Sequence, residues 1–269
     1  VDKDKIKYYE KAYYQNYEPI PFETKCGYIL NIYPSTVKEW TLFEDSVSIL
    51  TQDKSKTNDP NIISMSYLEF LYNLIGAEAI EQKGTTCKDM LFNVLKITFK
   101  DEDDSTFTFK WYNDRVNLCL IDSSDVVKCK ITPKEFNNII DIILTYNIRD
   151  YDDRTFSDDI IKAIEDYRKL RYKNTHSPSL EMRKAFVISK TGLDYKYVNE
   201  MPYRLFDLIF ECNLGVDSYI GDKIIQGSEK FRVDENIVHP LYQPKRDILS
   251  EVFSDSQEFK DKLSEVAKA

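Results

Sequence analysis

A chain of 269 residues with 42% apolar and 31% charged side chains can bury one large core or two modest ones, which excludes a disulfide-stapled miniprotein. Its 37 basic and 46 acidic residues give a net charge of -9, which repels phosphate backbones and anionic membranes and disfavours a dedicated nucleic-acid binder. No uncharged run is long enough to cross a bilayer.

Residues 1–25 interleave Lys3, Lys5, Lys7 and Lys11 with Tyr8, Tyr9, Tyr13, Tyr14 and Tyr17, follow no clean period, and end in Pro19 and Pro21. They read as an arm, and Val1–Lys11 lacks the apolar stretch of a secretory signal. Tyr28–Tyr33 reads as a strand. Pro34, with Ser35 or Thr36 as N-cap, opens a predicted helix through about Leu50. After a polar loop, Ile62–Ile75 is helical in period and apolar around most of its circumference, as a central core helix would be.

Over residues 94–131 the period changes from 3.6 to 2, and the runs VLKITFK, STFTFKWY, NLCLID and VVKCKI predict a four-stranded antiparallel meander. The first hairpin is expected to place Phe99 opposite Phe107 and Ile97 opposite Phe109. The second, turning at Ser123–Asp125, is expected to place Cys119 opposite Cys129 on one face, both reduced. Thr132-Pro-Lys-Glu135 is a capping box with Pro at the first helical position, followed by the stripe Phe136, Ile139, Ile140, Ile143 and Leu144.

The charged stretch Asn147–Thr155 marks a boundary near residue 150, and all that follows reads as helix. Ser157 caps one predicted helix, Pro178 starts another that Gly192 ends, a short one precedes Pro202, and Leu205, Leu208, Ile209, Cys212, Val216 and Ile220 continue the helical period. Residues 228–248 read as irregular and Ser254–Lys268 as a polar helix. The fold class is thus α+β. A Tyr/Lys arm (1–25) precedes an α+β domain (26–150) of helices with a small meander, and an all-α C-terminal half (151–269) completes the chain.

Chemistry is sparse by comparison. Five cysteines without CxxC spacing fit a reducing compartment, His176 and His239 stand apart from any nucleophile, and no Gly-rich phosphate cradle occurs. Asp101, Glu102, Asp103 and Asp104 precede a strand bearing Lys110, which raises the alternative of a metal-dependent nuclease or other nucleic-acid-processing enzyme. Four successive acids in a turn diverge and repel one another, which favours a solvated loop. Asp150, Asp152, Asp153 and Arg154 read as a hinge, and Arg168–Lys173 as cations complementing a helix C-terminus. No catalytic, cofactor-binding or metal residue is assigned. Tyr8, Tyr9, Tyr13, Tyr14, Tyr17, Lys7 and Lys11 are the candidate partner-binding residues, since local positive charge and aromatic area suit docking on an acidic surface.

The segments GYILNIYPSTVKEW, IISMSYLEFLYNLI and PSLEMRKAFVISKTGLDYKYVNEMPYRLFDLIF resemble tail and baseplate assembly proteins of tailed phages of low-GC Gram-positive hosts. The likeness covers about half the chain. Its most specific piece, Thr191–Ile209, resembles the end of tail-assembly chaperones, from which the central meander departs. The resemblance implies a non-enzymatic structural subunit or assembly factor with other tail or baseplate proteins as partners, or a homo-oligomer. It implies no cofactor and no catalytic residues, and a location in the host cytoplasm during assembly or in the virion; charge and hydropathy argue against a membrane or direct nucleic-acid contact.

Overall fold

The computed structural model describes residues 8–57, 59–78, 86–102, 104–149, 151, 162 and 178–227. The chain is mixed helix and sheet, an α+β fold, and divides into two units, Val1–Tyr151 with Asp194–Asp207, and Asp152–Leu193 with Leu208–Ala269. The sequence reading grouped 194–207 with the helical half; its contacts are with the first unit.

In the first unit, strands β1 (Ile20–Glu23) and β2 (Ile29–Ile32) form an antiparallel hairpin with Ile20 opposite Ile32. The turn is closed by Gly27 at φ +79°, a backbone conformation open to glycine, and by the Thr24 hydroxyl, which donates to the Tyr28 carbonyl at 2.8 Å. The expected helix from Pro34 begins later, as α1 (Trp40–Val47), followed by a 3-10 turn at Ser48–Thr51. Tertiary hydrogen bonds hold the backbone ahead of it: Val37 N–H donates to Met201 O, Tyr203 N–H donates to Ser35 O, and Thr36 bridges Pro202. Asn147 Oδ1 accepts from the Ser35 N–H and hydroxyl at 2.7 and 2.8 Å.

The expected Ile62–Ile75 helix is two, α2 (Pro60–Ser64) and α3 (Tyr67–Glu78), because Met65 is extended and Ser66 Oγ accepts the Glu69 N–H to open a new helix. The predicted first strand of the meander is corrected outright: Cys87–Thr98 is helix α4. A Thr86–Asp89 capping box nucleates it, and Leu91, Val94, Leu95 and Thr98 are buried at helical spacing, so the alternation over 94–99 was only the tail of a 3.6-residue period. The Phe99/Phe107 and Ile97/Phe109 strand register therefore does not exist, although the Phe99 and Phe107 rings meet at 5.3 Å.

The sheet has three strands, β3 (Ser105–Tyr112), β4 (Arg115–Asp122) and β5 (Val127–Ile131), in the order β3-β4-β5, all antiparallel. Asn113 and Asp114, both at positive φ, turn the first hairpin. Asp122 Oδ1 accepts the Ser124 and Val126 N–H groups in the second turn, as the expected loop requires. A register shift between Leu120 and Ile121 then pairs Cys119 with Lys130 and Leu120 with Cys129, so the two thiols lie on opposite faces, contrary to the expected pairing. Helix α5 (Pro133–Asn147) starts at the expected capping box, in which the Glu135 carboxylate accepts the Thr132 N–H and hydroxyl, and all five expected stripe residues are buried. Val116, Leu118, Leu120 and Ile131 complete that core against α3 and α5.

The chain returns to this unit as α7 (Tyr195–Glu200), numbered after α6 (Leu180–Thr191), and as the first turn of α8 (Tyr203–Gly227). Tyr203 stacks on Trp40 with centroids 3.4 Å apart, and Val198, Met201 and Phe206 are buried. In the second unit, Ser179 caps α6 and Gly192, at φ +70°, ends it as expected. Phe186 meets Phe210 edge-on, and Lys190 pairs with Asp217 at 2.6 Å. The expected Ser157 helix, His176, His239, the Arg168–Lys173 run, residues 228–248 and the Ser254–Lys268 helix lie outside the described residues.

Candidate protein-docking groove

Strand β3 is the edge of its sheet, and among the described residues nothing pairs with its outer side. It is eight residues long and carries no proline, no bulge and only one charge, Lys110, so it lacks the usual protections against pairing with another chain. Phe107, Phe109 and Trp111 fall on one face by strand alternation, and Trp111 is 51% exposed.

These rings meet others from the two helices alongside. Tyr72 of α3 lies edge-on to Phe109 and Trp111 at 5.6 and 5.7 Å, and Phe92 of α4 meets Phe109 at 6.5 Å. Between α3, α4 and β3 runs a groove of about 1020 Å³. It borders five consecutive β3 residues, Ser105–Phe109. A groove touching all five runs lengthwise beside the strand. Lys88 and Lys96, both exposed on α4, stand on the rim. The one acidic lining residue, Glu102, accepts the Tyr28 hydroxyl at 2.8 Å, and burial together with that bond pushes the Tyr28 phenol up to about 12.

The opposite face of the sheet is basic. Alternation and register put Lys110, Arg115 and Lys130 there, around a buried Cys119 whose thiol burial pushes up. Lys130 lies over the Tyr112 ring at 4.2 Å.

The arm residues behave differently from one another. Tyr8 is 60% exposed and Lys11 is exposed, Tyr9, Tyr13 and Tyr17 are half-buried, and Lys7 lies outside the described residues. Tyr8, Tyr9 and Tyr13 form a ring cluster with centroids 5.9 to 6.3 Å apart. Tyr14, a candidate for partner docking, is turned inward. It is 4% exposed, stacks on Tyr146 at 4.6 Å, and shares a 2.7 Å hydrogen bond with the Thr145 hydroxyl. Arg204 covers the same ring at 5.0 Å and donates to the Thr145 carbonyl. A ring inserted this deeply is a strap on the chain's own core, with Tyr8 and Lys11 left outward.

Two residues of the acidic turn weighed for nuclease chemistry bond to tyrosine and asparagine side chains of the first unit. Asp101 accepts the Tyr33 hydroxyl and the Asn31 amide at 2.8 Å each, Glu102 is held by Tyr28, and Asp103 lies outside the described residues. Among the described residues, no three His, Cys, Asp or Glu side chains gather to hold a metal ion, and no helix is long and apolar enough to cross a membrane. Sequence reasoning missed the groove because it took Val94–Thr98, the end of α4, for part of a strand paired opposite Phe107 and Phe109; the Thr86–Asp89 capping box was the available signal. No family model, no curated protein and no solved structure was found to match the chain.

Proposed function

We propose that the chain is a non-enzymatic protein-interaction component of a tailed-phage or phage-like tail or baseplate, as structural subunit or assembly factor. In this reading the groove receives an extended, acid-flanked apolar segment of a neighbouring subunit. The observation that carries it is the aromatic groove beside β3, an edge strand with which no other described residue pairs on that side. An added strand would gain backbone hydrogen bonds from β3 and set alternate side chains among Phe107, Phe109 and Tyr72. Lys88 and Lys96 on the rim suit acidic flanks. Edge-to-edge pairing with a second copy would extend the basic face into its own like charge, which favours the heterologous partner. The tail or baseplate setting, with assembly in the host cytoplasm, rests on the sequence resemblance, and the all-α C-terminal half on the helical period of residues 151–269.

The test is titration with a fluorescein-labelled peptide alternating Val or Phe with Ser and flanked by Asp. Trp111 lies beside the groove while Trp40 is buried, so binding should shift tryptophan emission to the blue. Phe109→Ser should weaken binding about tenfold, equivalent to ~1.4 kcal/mol, and Lys88→Glu with Lys96→Glu should remove its salt dependence. Absence of binding, or binding indifferent to these substitutions, overturns the groove reading; a dimer seen by sedimentation and lost in Phe109→Ser replaces the heterologous partner with a second copy. The setting is tested separately by mixing purified tail and baseplate subunits encoded beside the chain's gene: a complex lost in Phe109→Ser supports it, and no complex with any of them overturns it.

A further inference from the structure

The cysteines are placed unequally, and two of them meet. Cys26 is exposed in the β1–β2 turn, Cys129 on β5 is 1% exposed, and their sulfurs are 3.8 Å apart. The Thr24 hydroxyl lies beside both, 3.0 Å from Cys26 Sγ and 3.7 Å from Cys129 Sγ. The Leu120–Ile121 register shift is what separates Cys129 from Cys119 and leaves it facing Cys26 instead. Around the exposed sulfur, hydrogen bonding to the Thr24 hydroxyl and to the Lys130 and Tyr28 backbone favours the thiolate.

We propose that Cys26 is a hydroperoxide-reactive thiol and Cys129 its resolving partner, the pair closing to a disulfide that ties the β1–β2 hairpin to β5. The Cys26 thiolate attacks the peroxide: the O–O bond breaks, an S–O bond forms, and sulfur is oxidised by two electrons while hydroxide departs. The Cys129 sulfur then attacks the sulfenic acid, the S–S bond forms as the S–O bond breaks, and the thiol proton leaves with the hydroxyl as water. The sulfurs must approach by about 1.8 Å to reach bonding distance. The two thiols suit these successive roles. Partial burial acts to raise the Cys26 pKa, but hydrogen bonds from Thr24, the Lys130 and Tyr28 backbone and Cys129 outweigh it and hold the group at about 7. Burial drives Cys129 up to about 12, so it stays protonated until the sulfenic acid is presented to it.

Reduced full-length protein would be treated with hydrogen peroxide, quenched by alkylation, digested without reductant and mapped by mass spectrometry. A Cys26–Cys129 cross-linked peptide should dominate. Dimedone should label Cys26 in Cys129→Ser, and Cys26→Ser should yield no cross-link. Iodoacetamide at pH 7 should modify Cys26 about fivefold faster than a thiol at the ordinary 9.0, since about half instead of about a hundredth is ionised and the more acidic thiolate is intrinsically slower. The exposed Cys212 serves as internal comparator. Peroxide that leaves Cys26 intact, carries it to sulfinic acid without a cross-link, or links it to another cysteine overturns the proposal, as does alkylation of Cys212 matching that of Cys26. The wild-type map decides alone where Cys129→Ser does not fold.

Discussion

Replacing Tyr14 by alanine removes a ring that is 4% exposed, stacked on Tyr146, covered by Arg204 and hydrogen-bonded to Thr145. Deleting a buried aromatic side chain costs about 3–5 kcal/mol, through lost burial and the cavity left behind. Tyr14→Phe keeps the ring and loses only the hydroxyl. Thr145 Oγ1 still donates to the Asp141 carbonyl at 2.7 Å, so this variant should cost about 1 kcal/mol. Tyr8→Ala, at a ring 60% exposed, should fall within about 0.5 kcal/mol of wild type. At about 2–4 °C per kcal/mol for a unit of this size, Tyr14→Ala should lower the midpoint by about 6–20 °C. Tryptophan fluorescence reports the right unit, because Trp40 and Trp111, the chain's two tryptophans, both belong to the first. A Tyr14→Ala protein melting within 2 °C of wild type, as would follow if the arm rested loosely on the surface, refutes the strap.

Glu135→Gln should destabilise the first unit by about 1–3 kcal/mol near neutral pH, because its carboxylate accepts the Thr132 N–H and hydroxyl and the Lys25 N–H. Burial acts to raise its pKa, and these hydrogen bonds prevail and hold it below the ordinary 4.5. The contribution is therefore full above 4.5 and fades as pH falls through the lower folded value, so denaturant midpoints of wild type and variant should converge in acid; a constant gap from pH 7 to 3 would refute the assignment. Gly192→Ala should cost about 1 kcal/mol, since φ +70° burdens any side chain, and far-UV circular dichroism of the second unit's helices is the readout; an unchanged melt would show that the turn relaxes freely.

Where local chemistry alone determined the outcome, the sequence was readable. The Thr132–Glu135 box with Pro133, the Gly192 stop and the Asp122 turn each contain the atoms that make them. What escaped depended on distant partners or on competing periods. Residues Val94–Phe99 fit a strand when viewed alone, and only the upstream capping box and Leu91 show the helical spacing. Pro34–Lys38 has helix-opening residues, yet Asn147 and Met201, each more than a hundred positions away, take its backbone groups. The groove was invisible for the same reason, being bounded by a helix whose C-terminal end was read as a strand. The Cys26–Cys129 meeting needed a one-residue register shift, which flips side chains across a sheet and leaves little trace in composition.

The interrupted path of the first unit has a consequence for its synthesis. Trp40, Val37 and Ser35 emerge early, but Met201 and Tyr203, which receive them, follow only after the excursion through Asp152–Leu193. At about 5–20 residues per second, the ribosome needs about 3–11 s to travel from Tyr151 to Asp207. During that interval the nascent chain holds an indole and a set of unmatched amides with nowhere to go, which makes it a client for holdase chaperones. A nonsense codon near position 151 should then yield an insoluble fragment, whereas one placed after the first turn of α8 should leave the Trp40 pocket complete.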